Sequence, residues 1–189
     1  MSNKNSPQGA TKPSTRDAIL DAAERVVEAG GARRLTIDAV VKESGFSKGG
    51  VLYYFSSKQA LVEGMITRMI DMINGEFDQA TQDAEAKGEP VLPAIVRVGM
   101  EHSRKSPRVS MAILAAVAEH PELINPVRDA VHAVRARVLE ETKDPTLVLI
   151  TLLVGDGLHF SDILGLDFLT PEERAAVTAR IMTMVSEAC

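Results

Sequence analysis

Apolar residues recur along this chain at the three- and four-residue spacing of amphipathic helices, and polar caps, glycines and prolines divide the pattern into segments. One short segment begins at Thr36, whose hydroxyl can cap the first N–H groups of a helix. Ile37, Val40 and Val41 then form an apolar stripe, and Gly45 interrupts it. The pattern predicts a short helix that buries one face.

A second short helix follows directly. Ser47 is a capping residue, and the segment Lys48 to Tyr54 carries Val51 on its inner face, with Phe55 four residues further on. Two short helices separated by a turn containing glycine are typical of a helix-turn-helix motif. In that motif the second helix enters the major groove of DNA.

The same signals predict seven further helices, which makes about nine in an all-α fold. They run from Ser14 or Thr15 to Gly30, Lys58 to Ala84, Pro93 to Arg104, Pro107 to Glu119, Pro121 to Thr142 with an interruption near Asn125-Pro126, Pro145 to about Gly165, and onward from the capping box at Thr170 to Glu173. We expect a flexible polar arm over residues 1–13, an N-terminal helix-turn-helix domain over 14–74 and a C-terminal domain over 75–189.

Composition agrees with this division. The 189 residues are 45% hydrophobic and only 4% aromatic, so the chain can build a core of aliphatic helix-forming residues. Residues 1–64 hold nine Lys or Arg against seven Asp or Glu, while the remainder holds twelve against nineteen. This asymmetry favours a DNA-binding domain joined to an acidic body, in which binding depends on a local cationic face.

The sequence gives no indication of secretion or membrane insertion. The single Cys189 allows no intramolecular disulfide, and the N-terminus has no apolar core. The most apolar run, residues 147–154, is too short to span a bilayer. We therefore expect a cytoplasmic protein without a membrane partner.

The motif residues also resemble a known family. The runs Thr36-Ile37, Ser44 to Gly49, Leu52 to Phe55 and Ser57 to Leu61 resemble, in order and spacing, the N-terminal domain of the TetR family of bacterial transcriptional regulators. The resemblance covers about residues 14–73, and beyond them only the coarse helical pattern is similar. It implies a homodimer that binds a palindromic double-stranded DNA operator and is released by a ligand in the C-terminal domain.

The residues that we expect to contact DNA are Thr36, Ser47, Lys48, Gly49, Gly50, Tyr53, Tyr54 and Lys58. Lys48 can donate to guanine O6 and N7 or to a phosphate. The hydroxyls of Thr36 and Ser47 lie where helix N–H groups bind anions, although both can also be simple caps. The two glycines allow close approach to bases or tight packing within the protein.

The resemblance adds roles for the other positions. It implies that Tyr53 contacts a phosphate, that Tyr54 contacts a phosphate or shields the core, and that Lys58 clamps the DNA backbone. Gly49 matches the family motif, whereas Gly50 stands where members of the family often carry a base-reading side chain.

A site for a small hydrophobic effector is less clearly indicated. Methionines line adaptable pockets but also fill cores, and polar residues in an apolar helix need partners or a cavity. The candidates are Met65, Met69, Met100, Met111, Asp156 and His159. We find no catalytic set, no cofactor site and no metal-ligand spacing among the histidines.

The eighth predicted helix is apolar on nearly all sides, so it needs more covering than one small domain supplies. The resemblance implies that the last two helices pair with those of a second copy, and the candidate interface residues are Leu152, Leu153, Phe160, Val177, Ile181 and Met184. We expect a homodimeric repressor. The alternatives are a regulator controlled by a protein partner or by its own concentration, and a helical enzyme with a vestigial DNA-binding domain.

Overall fold

A computed structural model describes residues 14–102 and 107–188. Its secondary structure within these ranges consists of helices and turns, which confirms the all-α class. The nine α-helices are α1 (Thr15–Gly30), α2 (Ile37–Ser44), α3 (Lys48–Tyr54), α4 (Lys58–Lys87), α5 (Val91–His102), α6 (Pro107–Glu119), α7 (Asn125–Glu140), α8 (Pro145–Leu164) and α9 (Pro171–Glu187). The predicted arm over residues 1–13, the predicted end of the fifth helix at residue 104 and Cys189 lie outside the described residues.

Side-chain caps define most of the predicted helix starts. A hydroxyl accepts a backbone N–H three residues ahead at α1, α2, α3, α4 and α9, where the capping residues are Ser14, Thr36, Ser47, Ser57 and Thr170. At α9 the capping box is complete, because the Glu173 carboxylate also accepts the Thr170 N–H at 2.8 Å. Such caps satisfy N–H groups that the helix itself cannot pair.

The first three helices and the start of α4 form a compact unit, which we call the head. Its core contains Ile19, Ala23 and Val27 of α1 against Val40 of α2, and Val51 of α3 lies in the same cluster. Partly buried Val26, Ile37, Val41 and Phe46 pack around them, as the apolar stripes predict. The head therefore holds α3 at a fixed angle between α1, α2 and α4.

The start of α4 is buried deeply in this core. Leu61, Val62 and Met65 are at most 2% exposed, whereas Met72, two turns after Met65, is 51% exposed. Further along, α4 leaves the head and packs on α5 and α7. One helix of 30 residues thus belongs to both parts of the molecule.

Helix α6 packs on the head although it lies far away in the sequence. Val109, Ala112, Ile113 and Ala116 belong to the same buried cluster as the head residues. Arg108 at the start of α6 donates to the backbone carbonyl of Glu28 near the end of α1. The head and α6 consequently share one continuous core.

A second core holds the C-terminal helices together. It contains Phe77 of α4, Ile95 of α5, Val138 of α7, Val148 of α8 and Val185 of α9. Some predicted boundaries differ in detail, and α4 also continues to Lys87 instead of ending at Ala84. Helix α5 begins at residue 91, and the predicted seventh helix is divided into a 3₁₀ turn over residues 121–124 and α7. Proline at the second position of α7 explains this division, because it cannot continue a preceding helix.

Helix α8 extends well beyond its most apolar run. The apolar run over residues 147–154 is short, but the whole helix is 20 residues and is, among the described residues, long and apolar enough to cross a membrane by length and composition alone. The core helix of a soluble protein meets the same criteria. Val148 and Leu158 are buried within the chain, and a bidentate pair joins Asp162 to Arg174 of α9 at 2.8 and 2.6 Å.

Two glycines of α4 provide a matched test of head packing. A Cβ atom on Gly64 would lie 2.5 Å from Cε1 of Phe55 and 3.2 Å from Cδ2 of Leu20, whereas a Cβ on Gly75 meets nothing within 4 Å. We expect Gly64→Ala to lower the free energy of unfolding by about 1–2 kcal/mol, because overpacking outweighs the gain in helix propensity.

Gly75→Ala is the control and should raise that free energy by up to about 1 kcal/mol. Chemical denaturation at one protein concentration measures both variants. Equal stabilisation by the two substitutions would show that Phe55 does not need the space above Gly64.

Candidate nucleic-acid interface

The N-terminus of α3 protrudes from the head on a tight turn. Gly45 adopts the left-handed conformation at φ 73° and its N–H bonds to the Val41 carbonyl, which ends α2. The chain then reaches Ser47, whose Oγ accepts the Gly50 N–H at 3.1 Å. Accepting this bond leaves the Ser47 hydroxyl hydrogen available to donate, so capping and contact with a phosphate are compatible.

Gly49 and Gly50 differ in what surrounds them. A Cβ on Gly49 would meet nothing within 4 Å, while one on Gly50 would lie 3.2 Å from the Ser47 Oγ. Packing within the chain therefore does not require glycine at position 49. Glycine lowers helix propensity, so its presence at position 49 is consistent with a need for close approach by another molecule.

Lys48 occupies the first turn of α3 and is exposed, but it has a partner. Its Nζ lies 2.8 Å from Oδ1 of Asp38, and the two side chains are 60% and 76% exposed. Asp38 was not among the residues predicted to contact DNA. The sequence does contain a signal for this pair. A carboxylate stands in the first turn of α2 and an ammonium in the first turn of α3, and the two helices of a helix-turn-helix motif begin on the same side.

The remaining candidates are also accessible. Tyr53 is 83% exposed and Tyr54 is 42% exposed, and their rings meet edge to face at 5.1 Å between centroids. Thr36 is exposed and caps α2 through its Oγ1, 3.1 Å from the Ala39 N–H. Lys58 is exposed in the first turn of α4. Apart from Gly50, which is half-buried, the predicted residues thus form the exposed starts of α2, α3 and α4 together with the outer face of α3.

A cluster of charges fixes α4 against α1 behind this surface. The Arg68 guanidinium lies 2.5 Å from carboxylate oxygens of both Asp21 and Glu24 and donates to the Asp17 carbonyl at 3.2 Å. Partial burial disfavours the charge on Arg68, but the two carboxylates outweigh it and raise the pKa of the guanidinium. This cluster was not predicted, because Arg68 lies 44 or more positions from its partners on α1.

The four candidate methionines lie in different places. Met65 is 1% exposed in the head core with Met69 packed beside it, whereas Met100 is buried in the second core. Met111 is 37% exposed and lines an open cleft of about 630 Å³ between the end of α1, the start of α6 and the end of α8. Three of the four therefore fill cores rather than line a common cavity.

Asp156 and His159 lie one turn apart on α8. Although part of the Asp156 side chain reaches the surface, desolvation by the rest of the chain raises the pKa of its carboxyl, and the charge of His159 opposes this. The His159 ring lies 6.2 Å from the ring of Phe160. Both polar residues thus border the exposed apolar side of α8.

That side of α8 forms a continuous surface stripe. Ile150, Leu153, Phe160 and Leu164 are 48 to 70% exposed, and Gly157 lies between them at the 3.5-residue average spacing of a helix–helix seam. We call these five residues the α8 stripe.

The predicted interface residues divide between this surface and the interior. Leu153 and Phe160 lie in the α8 stripe and Met184 is half-buried, whereas Leu152 and Val177 pack against the second core and Ile181 is 6% exposed within it. The inward packing of Leu152, Val177 and Ile181 follows from their place on faces that α5 and the other C-terminal helices cover.

Comparison with known proteins identifies the family. Residues 19–65 match the model of bacterial regulatory proteins of the tetR family, and residues 89–186 match the tetracyclin repressor-like C-terminal domain. The second match alone covers more than half of the chain. The chain belongs to the TetR family. The head is its N-terminal DNA-binding type of domain, and α5 to α9 form its C-terminal type.

Individual TetR relatives agree with this assignment. The HTH-type transcriptional regulator EthR of Mycolicibacterium smegmatis is 28% identical in an alignment of 120 positions, and this alignment covers 53% of this chain and 55% of that protein. The chain thus spans about half the length of the curated relatives that it matches.

Solved structures share the fold. A transcriptional regulator from Rhodococcus sp. Rha1 has a TM-score of 0.70 at 21% identity and covers 92% of this chain and 97% of its own. The multidrug binding protein EbrR complexed with malachite green has a TM-score of 0.68 at 21% identity, with 92% and 99% covered. At this identity the two structures support the fold alone. The family evidence points to a regulator rather than to an enzyme.

The raised pKa of Asp156 generates a prediction about pH. A carboxyl whose pKa is higher in the folded state than its ordinary 3.8 binds its proton more tightly when folded, so stability falls as pH rises through the folded-state pKa. We expect Asp156→Asn to raise the melting temperature at about pH 7. At about pH 3 it should leave the melting temperature nearly unchanged, because the Asp156 carboxyl is then protonated in the folded and in the unfolded protein.

Thermal unfolding at the two pH values measures this difference. Asp129→Asn removes an exposed carboxylate from α7 and serves as the control. An equal effect of Asp156→Asn at both pH values would contradict the assigned cause.

Proposed function

We propose that this TetR-family protein is a transcriptional repressor that binds a palindromic DNA operator as a homodimer. The observation that carries the proposal is the start of α3, where Ser47, Lys48 and Gly49 are exposed on a helix that the head core holds rigidly. A helix presented in this way can enter the major groove with its first residues at the base edges. Such a regulator works in the cytoplasm, where the bacterial chromosome lies.

The contacts fall into two groups. Lys48 is our candidate for base readout, because an ammonium can donate to guanine O6 and N7. Thr36, Ser47, Tyr53 and Lys58 present hydroxyl or ammonium donors that fit phosphates, which fix the register of the protein without specifying sequence. Tyr54, which is less exposed than its neighbour, supports the ring of Tyr53 from the side.

The α8 stripe supports the homodimer. Four large apolar side chains on one helix face of a single chain form a surface that water solvates poorly, and Gly157 at its centre permits close approach of a second helix. A symmetric pair of chains would present two copies of α3, as a palindromic operator requires.

We further propose that a small hydrophobic effector binds the C-terminal helices and releases the operator. A structural neighbour, the multidrug binding protein EbrR, has been solved in complex with malachite green. Release requires that the effector bind the conformation that does not fit DNA more tightly than the one that does. The candidate entrance is the cleft beside Met111. The packing of Met65, Met69 and Met100 into cores favours the alternative, a regulator controlled by a protein partner or by its own concentration.

Substitution of the two lysines tests operator binding. On duplexes selected from random pools, we expect Lys48→Ala to cost about 1–3 kcal/mol of binding free energy and to relax base preference at one position. Lys58→Ala should weaken all sequences evenly and reduce the salt slope by about 1 per protomer. Gel-shift titrations over a salt series measure both effects, and unchanged preference and slope in the two variants would refute the assignment.

Substitution within the α8 stripe tests the dimer. Leu153 is 70% exposed in the single chain, so Leu153→Arg should leave the fold intact while placing a charge in the proposed interface. We expect wild-type dimers and monomeric Leu153→Arg at micromolar concentration, measured by analytical ultracentrifugation. Val131→Arg on α7, at a site 56% exposed, is the matched control and should remain dimeric. A monomeric wild type, or a dimeric Leu153→Arg, would exclude this interface.

A further inference from the structure

The ion pair between Asp38 and Lys48 joins the N-terminal turns of α2 and α3. The Lys48 Nζ and the Asp38 Oδ1 are 2.8 Å apart, and both side chains are largely exposed. A carboxylate at the start of α2 is favoured by the helix dipole. On a surface that meets DNA phosphates, however, the same negative charge opposes binding. The Asp38 carboxylate thus lowers the affinity for DNA in general, and we ask whether it improves the discrimination between DNA sequences.

Lys48 is the only long side chain in the first turn of α3. The neighbouring Ser47 uses its Oγ to cap the helix, and Gly49 and Gly50 contribute backbone only. Base readout by this turn consequently depends on where one ammonium group points. The partner that the structure gives to this ammonium is Asp38.

The chemistry of an ammonium group decides between its two possible targets on DNA. Lysine has three N–H donors, so Lys48 can keep one bond to Asp38 and direct another at guanine O6 or N7. A phosphate is less compatible with this arrangement, because it would bring a second anion beside the carboxylate. While it is paired with Asp38, Lys48 can therefore donate to an uncharged base edge, whereas its contact with a phosphate of the DNA backbone is disfavoured.

We propose that Asp38 is a specificity-determining residue, which positions the Lys48 ammonium for a guanine and weakens its capture by phosphates. This inference rests on the proposed DNA-binding function and deepens it. Asp38 itself needs no contact with DNA and acts through Lys48. The sequence recognised should include a guanine whose contribution depends on both residues.

The experiment compares binding to a random-sequence duplex and to the selected operator over a salt series. Asp38→Asn keeps the shape of the side chain and removes its charge. We expect it to tighten random-sequence binding about two- to fivefold, the range in which exposed ion pairs act. We also expect a steeper salt slope by about 1 per protomer, because the released Lys48 gains a phosphate. Operator binding should tighten less, so the ratio of the two affinities falls.

Two further variants separate positioning from simple charge. Asp83→Asn removes an exposed carboxylate near the far end of α4 and changes the net charge equally, so it should leave the affinity ratio unchanged. In the Lys48→Ala background, Asp38→Asn should lose its effect on the ratio. Circular dichroism verifies that each variant is folded.

The outcomes are distinct. If Asp38→Asn behaves like Asp83→Asn, or keeps its full effect in the Lys48→Ala background, the positioning role is wrong although the protein still binds DNA. If the wild type shows no salt-dependent affinity for either duplex, the proposed function itself fails before any variant is compared.

Discussion

A helix of seven residues does not hold its conformation alone in water, so the orientation of α3 depends on the packing of Val51 and of Phe55, which directly follows the helix. Phe55 lies against Gly64 of α4, and the Arg16 guanidinium lies 5.5 Å from its ring centroid. The surface that we assign to DNA is rigid because the residues behind it are fully buried. Every contact proposed for the exposed side of α3 relies on that core.

The same core explains how the two parts of the molecule can influence each other. Helix α4 passes from the head to the C-terminal helices, and α6 packs on the head from the other direction. Arg68 fixes α4 to α1 through two carboxylates, and Arg108 fixes α6 to the end of α1. Helices α4 and α6 are therefore the packed connections through which the proposed effector would act on the head, since packed interiors resist gradual deformation.

Sequence patterns predicted the helices well because the signals are local. A hydroxyl three residues before a helical N–H, a glycine after the last turn and an apolar stripe are all contained within a few positions, as at Thr36, Gly45 and Val40. The same locality limits the prediction. An apolar face on α6 shows that the helix is covered but not that the head covers it, and the methionines could not be assigned to two separate cores for the same reason. Asp38 and Lys48 meet only because the turn between α2 and α3 brings two helix starts together.

The shared core also bears on where one structural unit ends and the next begins. Val109, Ile113 and Ala116 lie at least 35 positions beyond residue 74, yet they complete the interior of the head. A chimera that joined residues 14–74 to a foreign sensor would leave this interior open to water on the side of α6. The unit that could be transferred to another protein is therefore discontinuous in sequence. A transferred head would need either α6 itself or substitutions that make the surface normally covered by α6 polar.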